Sequence, residues 1–244
     1  MLRALVAAVA TAVVVAGMPL PASQAAGVVV TVATYNAPHR EGLADRRYDL
    51  RRLDARGVSV VALQENTDGD PERIKPTGWS HYRPAAAKSA AVIWDRAVWV
   101  KVRTGHVRID RPGGTPDRYL VWVHLRHKAS GKVVRFASVH LVAWPYKTNA
   151  RAAEHRHQVQ QVASWINGGR HRVVAADWNS APGHARMAAL RRVADVQTPV
   201  LVTIGRNSKY DYVVRNDARP RPYGAYTLNA RGSNHRINVA KVGL

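Results

Sequence analysis

The chain contains no cysteine. That absence excludes a disulfide framework, a cysteine-type zinc site and a thiol nucleophile. Acidic residues are also scarce. Sixteen Asp and Glu stand against 37 Lys and Arg, a formal net charge of +21 with histidine neutral. Charge of that sign makes a polyanion the first partner to consider, whether nucleic acid, a phosphorylated glycan or an anionic lipid surface. A plainer origin stands beside it, because a GC-rich genome also writes proteins rich in alanine, valine and arginine. With 46% hydrophobic residues in a length of 244, the chain can bury one sizeable core and is not a disordered basic tail.

The start of the chain reads differently from the rest. Arg3 is followed by an apolar run from Ala4 to Gly17, then Pro19, Pro21 and the small-residue stretch Ala22-Ser23-Gln24-Ala25-Ala26. A positive start, an apolar stretch and small residues at −3 and −1 describe a secretory signal peptide. Cleavage after Ala25 puts Ser23 and Ala25 at those positions. The alternative is an uncleaved anchor, for which the run is short against the roughly 20 residues of a bilayer span. The expectation is a signal peptide over 1–25, then one secreted domain over 26–244, about 219 residues with a net charge of about +20.

Beyond it, strands and helices alternate. Val28–Tyr35 is β-branched and reads as a strand; Tyr48–Arg56, with Leu50 and Leu53 three apart and Gly57 after it, reads as an amphipathic helix. Val58–Leu63 follows as a buried strand, completing a β-α-β start. Ala90–Trp94, Trp99–Val107, Tyr119–Leu125 and Val133–Val139 are further strands, the last two joined by a hairpin turn over Lys128–Lys132. Ala150–Ile166 is a helix with Val159, Val162 and Ile166 on one face. Arg172–Ala176 is a strand, His184–Val193 a helix, and Tyr212–Val214 and Ile237–Val242 short closing strands.

The polar residues fall at particular places in this pattern. Asn36, Glu65, His140 and Asp177 each follow a strand directly; Asp211 and His235 lie beside the late strands. Strand ends of a layered α/β protein converge on one rim, where ligands bind. Any one such residue is commonly a turn or a helix cap. Six together supply hard oxygen ligands suited to Mg²⁺ or Ca²⁺, and histidines able to move protons near neutrality. Asp177 and Asn179 stand two apart, so on a strand end they address the same side. The carboxylate can hold metal or accept a proton. The amide can donate to a phosphate oxygen without adding repulsion. An Asx turn before Ser180-Ala-Pro-Gly183 is the competing explanation.

The ordered series Thr34-Tyr35-Asn36, Leu63-Gln64-Glu65, Val139-His140-Leu141, Asp177-Trp178-Asn179, Asp211-Tyr212-Val213 and Ser233-Asn234-His235 resembles the endonuclease/exonuclease/phosphatase superfamily. Its fold is shared by deoxyribonuclease I, exonuclease III, neutral sphingomyelinases and inositol polyphosphate 5-phosphatases. The resemblance runs from about Val28 to Leu244. It implies an α/β protein: a four-layer α/β sandwich with two face-to-face mixed β-sheets flanked by helices. It implies phosphoester hydrolysis with a divalent metal, Mg²⁺ or else Mn²⁺ or Ca²⁺. On this mapping Glu65, Asn36 and Asn234 are the metal residues. Asp177 and Asn179 hold the nucleophile and phosphate, His140 contacts the scissile phosphate or protonates the leaving group, and Asp211 orients His235. His235 is the general base or stabilises pentavalent phosphorus. Two departures stand out. The last motif reads Ser-Asn-His where relatives usually read Ser-Asp-His, and no glutamate between Trp79 and Trp94 matches the one that pairs with the first histidine in deoxyribonuclease I-like nucleases.

Several further residues carry two readings. Arg118 either reaches the phosphate or is a surface arginine. Trp144 and Trp178 follow the strands that carry His140 and Asp177 and can flank a substrate, while the other tryptophans are expected in the core. Glu154-His155-Arg156-His157 looks like a metal cluster but lacks HExxH spacing, so it is expected to be a solvated helix face. The arginines at 206, 215, 219, 221 and 231 form either a polyanion contact or a compositional surplus. The functions that remain are a secreted nuclease or phosphodiesterase acting on DNA or RNA; a phosphatase or phospholipase (sphingomyelinase-like) on sugar or lipid phosphates, touching a membrane only if its substrate is a lipid; and a non-catalytic basic binding module. No stable protein partner is expected, and the chain is expected to be a monomer.

Overall fold

A computed structural model describes residues 28–38, 40, 42–67, 71–112, 118–196, 202–205, 208–216, 224–231 and 233–244. The signal segment expected over 1–25, and the arginines at 206, 219 and 221, lie outside the described residues. The strands are β1 (Val29–Asn36), β2 (Val58–Gln64), β3 (Trp79–Tyr82), β4 (Ala90–Asp95), β5 (Trp99–Arg108), β6 (Tyr119–His127), β7 (Val133–His140), β8 (Arg172–Asp177), β9 (Asp195–Val196), β10 (Asp211–Arg215), β11 (Ala225–Asn229) and β12 (Arg236–Gly243). The helices are α1 (Leu43–Asp54), α2 (Pro71–Ile74), α3 (Asn149–Asn167) and α4 (Ala188–Arg191), the last preceded by a 3₁₀ turn over Ala185–Met187.

The strands form two six-stranded mixed sheets, ordered β11-β12-β1-β2-β4-β3 and β5-β6-β7-β8-β10-β9. Each sheet has one parallel pair, β1–β2 and β7–β8, and both pairs are joined by a helical crossover, through α1 and α3. All other pairs are antiparallel. The central strands are apolar on both faces because both are covered. Val32, Val60, Trp94, Phe136 and Val173 fill the space between the sheets. The residues in between point outward: Tyr35, Val61 and Leu63 pack under Leu50 and Leu53 of α1. Val139, Val174 and Trp178 pack under Val159, Val162 and Ile166 of α3. That gives helix, sheet, sheet, helix, the expected four-layer sandwich.

Local signals explain most boundaries. Thr148 caps α3 by accepting the Arg151 N–H at 3.1 Å. Gly57 takes φ +70° just past α1, a conformation that favours glycine. Three expectations are corrected. The first helix starts at Leu43, five residues before Tyr48, and the helix expected over His184–Val193 is a 3₁₀ turn followed by four α-helical residues. The Glu154–His157 stretch is not a solvated face, because Glu154 and His155 are buried. Among the described residues no helix is long and apolar enough to cross a membrane.

Candidate active site

Strand register brings the polar residues together. His140 at the end of β7 lies beside Asp177 at the end of β8, and Asp177 lies opposite Asp211 at the start of β10. These three therefore form a row across one rim of the second sheet. Asn36 ends β1 on the facing sheet, pointing inward like Val32 and Thr34, and Glu65 follows β2. Across the gap, Asn36 Nδ2 donates to Asp177 Oδ2 at 2.9 Å and to Glu65 Oε1 at 3.0 Å. One amide thus ties two carboxylates from opposite sheets.

His235, just before β12, completes the cluster. Its Nδ1–H donates to Asp211 Oδ2 at 2.9 Å and lies 3.9 Å from Asp177 Oδ2. The His140 Nε2 atom is 3.6 Å from Asp177 Oδ2 and 3.8 Å from Glu65 Oε1, close enough for attraction but beyond hydrogen bonding. Asn179 is pinned at both ends: its N–H donates to Asp177 Oδ1 at 2.9 Å and its Nδ2 to the Leu141 carbonyl at 3.1 Å. Among the described residues four non-glycine residues have positive φ, and two belong to this rim, Glu65 (55°) and Asn179 (48°). Backbone strain of this kind collects where geometry is constrained by use.

Burial and charge divide the titrating groups. Burial, reinforced by the Asp211 charge opposite, raises the Asp177 carboxyl to about 7. Burial alone would lower His235, but the hydrogen bond and charge of Asp211, with Asp177 and Glu65 behind, lift it to about 9. His140 goes the other way: burial, helped by Arg118 and His235, holds it well below the usual histidine range. The rim therefore offers a protonated imidazole, a neutral imidazole and a carboxyl that titrates near neutrality.

The donor set fits a hard divalent cation. Glu65, His140 and Asp177 bring ligand atoms within 4.8 Å of one another, as do Asp177, Asp211 and His235. Asn36 Oδ1 is buried with no protein partner, beside two carboxylates. A free amide oxygen flanked by carboxylates is chemistry that Mg²⁺, Mn²⁺ or Ca²⁺ accepts and softer metals do not require.

Under the rim runs a polar ladder to which the sequence reading gave no role. Thr34 Oγ1 donates to Gln64 Oε1 at 2.9 Å, Gln64 Nε2 donates to Ser138 Oγ at 3.1 Å, and Ser138 Oγ donates to the Leu63 carbonyl at 2.9 Å. All three side chains are buried, and the ladder joins the sheets directly beneath Asn36, Glu65 and His140. Its signal was an inward-facing polar residue, Thr34, Gln64 or Ser138, near the end of each strand.

Solved structures share this architecture. A protein from Bacteroides thetaiotaomicron described as an endonuclease/exonuclease/phosphatase family protein superposes with a TM-score of 0.72, covering 90% of this chain and 99% of that one at 13% identity. The chain has the endonuclease/exonuclease/phosphatase fold. A Bacteroides thetaiotaomicron mannosyl-6-phosphatase matches with a TM-score of 0.65 at 13% identity, covering 88% and 99% of the two chains. TDP2 from D. rerio, complexed with a single-strand DNA product, matches with a TM-score of 0.67 at 15% identity, covering 87% and 98%. No family model matches the sequence, and no curated protein matches it.

Within the endonuclease/exonuclease/phosphatase fold, six of the sequence-selected residues gather in one cluster: Asn36, Glu65, His140, Asp177, Asp211 and His235, with Asn179 on its edge. Two others do not join it. Trp178 is fully buried, donating its indole N–H to the Tyr212 carbonyl at 2.9 Å and stacking on Tyr212, so it meets no substrate. Strand alternation turns it under α3, away from Asp177 and Asn179. Asn234 is exposed, and its Oδ1 accepts from Arg40 Nη2 at 2.9 Å, so a guanidinium occupies the oxygen expected to bind metal. Arg118 is half-buried; Nη1 donates to the His140 carbonyl at 3.3 Å, within electrostatic reach of Asp177 and Glu65. No carboxylate meets His140 Nδ1, which is buried without a protein partner. The Glu154 carboxylate accepts from Gln158 and the Arg111 N–H, and His155 Nε2 meets the Trp178 carbonyl at 2.8 Å, so this pair braces the rim from α3.

Proposed function

We propose that this protein is a divalent-metal-dependent phosphoester hydrolase whose substrates are phosphodiesters of nucleic acid. The observation that carries the reading is the Asp211–His235 pair at 2.9 Å set against an Asp177–Asn36–Glu65 bridge. A carboxylate-oriented imidazole beside a cation-ready acidic cluster is the equipment that attack on a phosphoester requires. The neighbours of the same fold include a mannosyl-6-phosphatase and a TDP2 bound to a DNA product, which supports phosphoester chemistry and leaves the substrate to be chosen by this chain. The net charge of +21 favours a polyanion over a small sugar phosphate. We further propose that residues 1–25 direct export and are removed, on the strength of the apolar run and the small residues before Ala26.

Glu65 and Asn36 would hold the metal, which when bound would supply positive charge against the phosphate oxygens and lower the pKa of water. Asp177, titrating near 7, accepts a proton from the attacking water. Asn179, fixed by its two hydrogen bonds, orients that water and the phosphate. His235 stays protonated at neutral pH, with Nδ1–H held by Asp211, and its Nε2–H faces charge building on phosphorus. Water oxygen bonds to phosphorus and the ester P–O bond breaks; the departing alkoxide takes a proton from solvent water at the open rim, Asp177 returns the proton it accepted to solvent, and neutral His140 donates a hydrogen bond to the phosphate.

Hydrolysis of bis(4-nitrophenyl) phosphate by the purified protein tests this. Turnover is expected with Mg²⁺ or Mn²⁺, abolished by EDTA and restored by adding metal back. Full activity after exhaustive chelation would overturn the metal assignment, and no turnover with any divalent ion would overturn the enzyme.

A further inference from the structure

A cavity of about 290 Å³ opens beside the catalytic rim and shares Asn179 with it. It is lined by Tyr146, Asn179, Ser180, Arg186, Lys209 and Tyr210, among others, and among the described residues no carboxylate lines it. Its lining joins aromatic rings to cations, while the rim next to it is acidic.

Several features mark it as built. Ser180 lines the cavity, is buried, and has an Oγ with no protein partner. Tyr210 sits on a segment fixed by backbone: its N–H donates to Thr203 Oγ1 at 3.1 Å and its carbonyl accepts from the Trp178 N–H at 2.8 Å. Tyr146 stands 65% exposed on the loop after β7. That loop is held by Trp144, whose φ of 49° is strained for a bulky residue and whose carbonyl accepts the Lys147 N–H at 3.1 Å. The Lys147 ammonium lies 4.3 Å over the Trp144 ring, bracing the turn that presents Tyr146.

We propose that this cavity is a subsite for one nucleotide unit of a single-stranded nucleic acid, adjacent to the scissile phosphate. The base stacks on Tyr146 or Tyr210, the neighbouring phosphate meets Lys209 and Arg186, and the Ser180 hydroxyl hydrogen-bonds the sugar or base edge. Aromatic platforms combined with cations are how proteins hold unpaired strands, because every base has a π-face and every unit a charge. The volume is at the small end of the ~300–1,000 Å³ of ligand sites, which suits one unit rather than a folded polymer. A base stacked in a duplex is not free to enter. The proposal deepens the hydrolase reading by naming its substrate class, and so rests on it.

Binding and chemistry are measured separately. A fluorescein-labelled single-stranded oligonucleotide is titrated with the full chain in EDTA, following anisotropy, for wild type, Tyr146→Ala and Lys209→Glu. Each substitution is expected to raise Kd by ~5-fold or more, the loss expected of one stack or one phosphate contact. The same strand annealed to its complement should respond to Tyr146→Ala by less than ~2-fold, and a nucleoside monophosphate should compete better than mannose 6-phosphate. Unchanged single-strand affinity in both variants overturns the subsite. Equal competition by the sugar phosphate, or an equal loss for duplex, overturns its assignment to an unpaired nucleotide. Turnover of bis(4-nitrophenyl) phosphate, too small to need the cavity, should be unaltered in both variants. If wild type binds the strand as described yet hydrolyses no phosphoester, the hydrolase reading falls while the subsite stands.

Discussion

His235 and Asp211 are the pair on which the proposed chemistry turns. The imidazole is raised to about 9 against the pull of its own burial, chiefly through Asp211. A raised folded-state pKa contributes stability that is fully present below the unfolded value near 6.5 and is lost as pH rises through about 9. Replacing Asp211→Asn removes the charge but keeps the shape. The His235 titration is then expected to move down from about 9, read by NMR of the ring protons. Hydrolysis should fall by ~10²-fold or more, as for loss of a positioned acid–base group. The stability gap between wild type and variant should narrow as pH rises through 9; a gap that widens would contradict the assignment. Single residues also show where sequence reading stops. Trp178 lies between two site residues, but strand alternation sends it to the opposite face, and that rule was already available for Asp177 and Asn179. His155, expected on a solvated face, lies four residues before Val159, a spacing that shares the buried face of α3 and was passed over. Arg40, which holds Asn234, could not be foreseen, because nothing local in the sequence ties two residues so far apart.

At the scale of elements, β1, β2, β7 and β8 were legible because each is rich in β-branched and apolar residues and gives way to a polar residue at its end. Those same four ends carry Asn36, Glu65, His140 and Asp177, so the candidate site could be read along with them. The missed strands β3, β9 and β11 lie at sheet edges, where one face meets solvent and composition no longer separates strand from loop. The edge strand β5 holds another constraint. Gly105 pairs with Trp122 of β6, and a Cβ at 105 would come within 2.2 Å of the Trp122 ring. Trp122 also packs against the His124 ring, centroids 4.5 Å apart and planes tilted by 31°, so moving it disturbs a second contact. Gly105→Ala is therefore expected to destabilise by ~1–3 kcal/mol, an overpacking cost. In a domain of this size that is a fall in Tm of ~2–12 °C, measured by differential scanning fluorimetry. A Tm within a degree of wild type would mean Trp122 swings clear freely.

The whole molecule carries an excess of positive charge that neither sheet nor cluster explains. If it serves a polyanion, oligonucleotide affinity should fall steeply between ~50 and 200 mM salt as counterions are released. A flat response would mark the arginines as compositional and shift weight to small phosphates. The topology has a further consequence for how such a molecule is made. In the first sheet β12 lies between β1 and β11, pairing with both. During synthesis β1 and β2 emerge early, and Asn36 and Glu65 with them, while β12 and the preceding His235 emerge after every other strand. Until β12 docks, β1 has one unpaired edge and Asp211 lacks its imidazole. A nascent chain can therefore carry most of the cluster before His235 is in place, and the candidate site is completed in one late step of closure.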